Sequence, residues 1–207
     1  MTQIKICGLT DAPAFDAAVE AGADYLGLVF YPPSPRYLTG DEAAILAKKA
    51  RAQAKLVGLF VSPRIDEVEA ILSLVKLDIL QIHGSVDLAA ALKHHFGCPV
   101  WRQLGIASKA DFPTLDEEVD GFIIEAKPPA GATRPGGNGV LADWDLLSGF
   151  RPARPWLLAG GLNPDNVAAA LQHVGAPGVD VSSGVETAPG KKSPALIRQF
   201  IKAARGF

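Results

Sequence analysis

The chain reads as an α/β protein, a (β/α)8 TIM barrel, on three observations. Strand-length apolar runs alternate with helix-length amphipathic or alanine-rich segments, the pattern that parallel βα units leave in a sequence. Eight such units fit into 207 residues, at the compact end of what a closed barrel needs. The competing architecture, an open doubly wound sheet, would carry G-x-G-x-x-G after its first strand, and none is there. No linker or shift in composition divides the chain. Residues 1–207 are therefore expected to form one barrel catalytic domain.

The strands are expected at Gln3–Cys7, Tyr25–Phe30, Lys55–Val61, Asp78–Ile82, Pro99–Leu104, Gly121–Ala126, Pro155–Ala159 and Gly178–Ser182. Each is a short, largely apolar run, and the first is β-branched. Helices are expected at Ala12–Ala21, Gly40–Gln53, Arg64–Leu74, Val86–Phe96, Asn163–His173 and Pro194–Ala204, from their apolar spacing. Gly105–Asp120 reads as a weaker helix and Asp143–Ser148 as a short one. Asn163-Pro164 offers an N-cap followed by proline at the first helical position, which would start the Asn163–His173 helix there. Lys127–Val140, KPPAGATRPGGNGV, is a long proline- and glycine-rich loop after the sixth strand. Loops of that kind are usually functional, so a lid over the catalytic face is expected.

Composition limits the function classes. Apolar residues make up 48 % and charged residues 20 %, with a formal net charge of −2. There is no basic run or aromatic-interleaved basic stripe, which argues against nucleic acid. Apolar stretches fall well short of the ~20 residues that cross a bilayer, and the N-terminus lacks the pattern of a secretory signal. Two cysteines cannot build a disulfide framework and suit a reducing cytoplasm. His94 and His95 fall on a helix and read as solvated surface; no spacing resembles a metal site.

The candidate chemistry gathers at strand ends. On the first strand Lys5 and Cys7 share one face and Ile4 and Ile6 the other, because strand side chains alternate. Gln81 and His83 share a face of the fourth strand and are expected to meet the substrate. On the sixth, Glu125 projects at the barrel top opposite Cys7. A thiol and a carboxylate so placed can act as a proton-transfer pair. Cys98, at the N-terminal end of the fifth strand, reads as structural. After the last two strands come Ala159-Gly160-Gly161-Leu162 and Val181-Ser182-Ser183-Gly184-Val185. Small residues there let backbone N–H groups approach phosphate oxygens, so Gly160, Gly161, Ser182, Ser183 and Gly184 form the expected phosphate site. The proline-stiffened loop Tyr31–Tyr37 holds Arg36, whose planar fork suits a carboxylate or phosphate. Lys5 and Asp180 should both point into the barrel from neighbouring strands. An ion pair across the closure seam is expected, Lys5 in turn favouring the Cys7 thiolate.

These segments, in this order, resemble phosphoribosylanthranilate isomerases over essentially the whole chain. The resemblance is carried by Lys5–Thr10, Gly27–Phe30 with Ser34-Pro35-Arg36, Val57–Val61, Gln81–Gly84, Ala159–Leu162, Asp180–Glu186 and Pro189–Lys192. It implies an Amadori rearrangement in tryptophan biosynthesis without a cofactor, on a small phosphoribosyl substrate. It implies Cys7 as general base at ribose C2′, and Arg36 as the group binding the anthranilate carboxylate. Gln81, His83 and Asp180 are the further substrate-binding candidates. The family's general acid is a strand-six aspartate; here Glu125 stands in its place, one methylene longer. A non-catalytic or altered phosphoribosyl-ligand-binding barrel is the alternative. A monomer or homodimer is expected.

Overall fold

The structure, a computed structural model, describes residues 1–49, 54–114, 116–127 and 143–206. Eight parallel strands close into a barrel in chain order: β1 (Gln3–Cys7), β2 (Tyr25–Val29), β3 (Lys55–Val61), β4 (Ile79–His83), β5 (Val100–Ile106), β6 (Gly121–Ala126), β7 (Trp156–Leu158) and β8 (Gly178–Val181). The helices are α1 (Ala12–Glu20), α2 (Gly40–Ala47), α3 (Ile65–Leu72), α4 (Val86–Phe96), α5 (Trp144–Leu147), α6 (Val167–Val174) and α7 (Pro194–Arg205). A small hairpin, β9 (Glu186–Ala188) and β10 (Lys191–Lys192), follows the barrel. No helix among the described residues is long and apolar enough to cross a membrane.

The strand alternation sorts side chains into two cores. Ile4, Ile6, Leu26, Leu28, Phe60, Leu80, Ile82, Phe122, Ile124 and Leu158 face outward and pack with the helices in one large cluster. Val57, Ile79, Trp101, Ile123, Leu157 and Ala159 form a second, inside the barrel. Trp101 fits there because Gly121 faces it; a Cβ on Gly121 would lie 2.7 Å from the indole nitrogen. Above this apolar layer the inward positions turn polar.

One device recurs on the N-terminal face. Asp24, Asp78 and Asp120 each precede an even-numbered strand. Their carboxylates accept the backbone N–H of Ile4, Leu56 and Val100 at 2.8, 2.8 and 2.9 Å. Each one therefore satisfies a donor at the start of the preceding strand, which the ladder leaves unpaired. Asp120 is thus a stabilising residue far from the strand tops.

The helix starts follow capping chemistry at Asp11, Thr39, Ser85 and Ser193, whose side chains accept from N–H groups of the first turn. Two helix expectations are corrected. Between β5 and β6 the described residues form one 3₁₀ turn, Lys109–Asp111, with Ser108 and Asp111 capping each other. Pro113 follows and cannot continue a helix through its missing N–H. Also, α6 starts at Val167 rather than beside Pro164. The Asn163 side chain instead accepts from the N–H of Asp165 and Asn166, making a preliminary turn. Residues 128–142 of the expected lid, and the end of the second expected helix at 50–53, lie outside the described residues.

The expected seam pair is present. β1 and β8 pair with Lys5 opposite Asp180, and Lys5 Nζ lies 2.8 Å from Asp180 Oδ1 with the lysine fully buried. Breaking a buried pair leaves an unpaired charge and costs about 3–5 kcal/mol. Lys5→Met and Asp180→Leu should each lower unfolding free energy by that order in denaturant titrations. The double variant should recover most of the loss; additive losses would contradict the pairing.

Candidate active site

One cavity opens at the C-terminal ends of the strands, and the polar inward positions converge on it. Cys7, Gln81, His83, Gln103, Glu125 and Asp180 line it from β1, β4, β5, β6 and β8. Gly160, Gly161, Ser182 and Ser183 line it from the turns after β7 and β8, and Arg36 from the loop after β2. Of the residues expected from sequence, Gly184 alone does not line it. A Cβ there would run into the Leu162 backbone, so Gly184 lets the two turns pack against each other. Gly160 and Gly161 have φ of +89° and +65°, values that glycine takes without strain.

Cys7 sits at the end of β1 opposite Gly27 of β2, which makes room for it; a Cβ on Gly27 would lie 3.1 Å from the sulfur. Burial pushes the thiol above its ordinary value; Lys5 and Lys192 pull it down, while Asp180 pushes it further up. Lys5 favours the thiolate as expected, but burial outweighs that contribution. Desolvation outweighs the ammonium, because Asp180 already neutralises it. Lys5 itself is pulled down by burial and raised more by Asp180 and Cys7, so it stays charged.

A chain of amides leads to the carboxylate. Gln81 Nε2 donates to Gln103 Oε1 at 2.6 Å, and Gln103 Nε2 donates to Glu125 Oε1. Gln81 Oε1 is buried without a protein partner among the described residues, an acceptor available to a ligand donor. Burial pushes the His83 imidazole down to about 4, a hydrogen bond with Gln103 pulls the other way, and Lys5 adds to the depression. His83 is therefore neutral at physiological pH.

Sequence reading passed over Gln103, although it shares an inward face with Trp101 by the same period-two rule that singled out Gln81. It also gave no role to Glu186, which meets Arg36 across 150 residues of chain, or to Lys192, which reaches Glu186 across the small β9–β10 hairpin. Cys98 lies away from the cavity, its sulfur 4.0 Å from the Leu77 carbonyl. His94 is exposed on α4 beside Glu118. No cluster that could hold a metal ion occurs among the described residues.

A closed (β/α)8 barrel with a polar cavity at its strand ends is the architecture of the barrel enzymes. The comparisons specify which. The model of the N-(5′-phosphoribosyl)anthranilate (PRA) isomerase family matches residues 4–203, and the chain belongs to that family. It is 52 % identical to the N-(5′-phosphoribosyl)anthranilate isomerase of Acidiphilium cryptum, over 99 % of this chain and 98 % of that one. A solved phosphoribosyl anthranilate isomerase in complex with reduced 1-(o-carboxyphenylamino)-1-deoxyribulose 5-phosphate superposes with a TM-score of 0.85 at 32 % identity, covering both chains completely. Monomers generated from the dimeric enzyme of Thermotoga maritima match with a TM-score of 0.82, again at 32 % identity and full coverage of both.

Two titrations check the electrostatics. In a Cys98→Ser background, alkylation of Cys7 by iodoacetamide should keep accelerating past pH 9, the ordinary thiol value; a midpoint below pH 8 would contradict the dominance of burial. By NMR, His83 should titrate near pH 4; a midpoint near 6.5 would contradict its neutral assignment.

Proposed function

We propose that the protein catalyses the Amadori rearrangement of N-(5′-phosphoribosyl)anthranilate to 1-(o-carboxyphenylamino)-1-deoxyribulose 5-phosphate in tryptophan biosynthesis. The observation that carries this is one cavity faced by a β1 thiol and a β6 carboxylate, with Arg36 and two small-residue turns on its rim. Backbone N–H groups around Gly160, Gly161, Ser182 and Ser183 hold the phosphate, with Gly184 keeping the two turns together. Arg36 takes the anthranilate carboxylate in a charge-assisted hydrogen bond. Neutral His83, the free acceptor of Gln81, and Asp180 face the ribose.

Glu125, in its acid form, protonates the furanose ring oxygen. The C1′–O bond breaks as the anthranilate nitrogen lone pair forms an iminium at C1′. The Cys7 thiolate then removes the C2′ proton, and the C–H electrons form the C1′–C2′ double bond while the iminium electrons return to nitrogen. The resulting enolamine takes a proton at C1′ and loses one from the C2′ hydroxyl, giving the ketone. Substrate and product are isomers, so proton transfers suffice, each of them worth ~10²–10⁴-fold. The free thiols, Cys7 buried and Cys98 half-buried, suit a reducing cytoplasm, and a monomer or homodimer is the assembly we expect.

Glutamate in place of the family's aspartate adds a methylene, and a displacement of ~1 Å can cost ~10²-fold where nothing compensates. The hydrogen bond from Gln103 is a compensation that this chain supplies. With freshly generated phosphoribosylanthranilate, Glu125→Gln should lower kcat/KM by ~10²–10⁴-fold. Glu125→Asp, which keeps the acid but retracts it, should fall between the two. Equal rates for wild type and Glu125→Gln would remove Glu125 from the mechanism.

A further inference from the structure

The residues that hold Arg36 lie behind the cavity wall. Arg36 donates from Nε and Nη2 to the two oxygens of Glu186 at 2.7 and 2.9 Å. Glu186 also accepts from Lys192 Nζ at 2.5 Å and from the Gly190 N–H at 3.3 Å. Lys192 Nζ reaches on to the Ser182 carbonyl at 3.1 Å and the Ser182 hydroxyl at 3.3 Å. Arg36, Glu186 and Lys192 are nearly buried, yet only Arg36 lines the cavity. The stem of Arg36 rests on Gly8, where an added Cβ would come within 2.5 Å of its Cδ.

A guanidinium bound side-on through Nε and Nη2 keeps the end of its fork, Nη1 and the second Nη2 hydrogen, for another planar anion. Arg36 and Lys192 share the one carboxylate of Glu186; burial pulls Lys192 below its ordinary value while Glu186 pulls the other way, and of the three only Arg36 lines the cavity. The same lysine that anchors the carboxylate is bonded to the turn that bears Ser182 and Ser183.

We propose that Glu186 is a positioning residue: tethered through Lys192 to Ser182, it aims the fork of Arg36 at the substrate's aromatic carboxylate. This rests on the function proposed above and deepens it. The Glu186–Lys192–Ser182 chain sets the spacing between the carboxylate clamp and the phosphate turn, and with it the length of ligand the cavity accepts. A role of this kind acts on binding. A merely structural ion pair would change stability and leave the split between KM and kcat untouched.

The test compares Glu186→Gln, which keeps size and loses charge, with Glu186→Asp, which keeps charge and retracts the carboxyl. Hydrogen bonds to charged groups are worth about 1.5–3 kcal/mol, equivalent to roughly 10–100-fold in affinity. KM of Glu186→Gln should rise by about that factor while kcat stays within about threefold. Its affinity for the reduced product analogue should fall in parallel, and Glu186→Asp should recover part of both. Unchanged KM and analogue affinity in folded variants would overturn the proposal, as would a fall in kcat at constant KM. An inactive wild-type protein would count against the proposed function instead, and analogue affinity, read by calorimetry, would then decide the role of Glu186.

Discussion

The buried ion pair between Lys5 and Asp180 is the constraint around which the rest of this barrel is arranged. The first and last strands meet only if their registers agree, and the register that pairs the rest of β1 and β8 sets Lys5 directly opposite Asp180. A slip of either strand by one residue would turn its charge toward the apolar layer beneath the helices and leave the other charge unpaired inside. Closure of the barrel and burial of the charge are therefore one event. Replacing such a pair with apolar residues is often neutral or stabilising, so its retention here is better explained by what stands beside it. Lys5 lies within electrostatic reach of Cys7, two residues further along the same face, and lowers the cost of a thiolate in a desolvated place.

The same economy of position links the groups at the mouth. Gly8 follows Cys7 with φ of +75° and leaves the space in which the Arg36 stem lies, so one turn places the thiol and supports the arginine. Below, Trp101 and its apolar neighbours seal the barrel interior, which leaves the polar groups to open only on the strand ends. The aspartates before β2, β4 and β6 perform the matching task at the other face, closing strand starts that would otherwise expose unpaired N–H groups.

What could be read from the sequence follows from periodicity. Alternation of strand- and helix-length segments predicts the barrel, and a period of two within the strands, separating Lys5 and Cys7 from Ile4 and Ile6, predicts the seam pair and the inward polar residues Cys7, Gln81, His83, Glu125 and Asp180 of the cavity. What could not be read depends on competition between local signals or on contacts between distant segments. The stretch 105–120 carries helix-compatible residues, but Ser108 and Asp111 close on each other and Pro113 ends the turn. Asn163 looks like a helix cap and caps a turn ahead of the helix instead. Glu186 meets Arg36 across 150 residues of chain, and no local pattern foretells that meeting. The sum of opposing effects on Cys7 likewise needs the depth of burial as well as the identity of its neighbours.

In the proposed mechanism binding and proton abstraction are built from separate groups in one cavity, with Cys7 doing the abstraction. Purified wild-type protein and Cys7→Ala, both folded, should be compared for turnover of phosphoribosylanthranilate and for affinity toward the reduced product analogue. Wild type should turn the substrate over, Cys7→Ala should lose ~10²-fold or more, and analogue affinity should be nearly equal for the two. Undiminished turnover by Cys7→Ala, or no turnover by folded wild type, would contradict that mechanism.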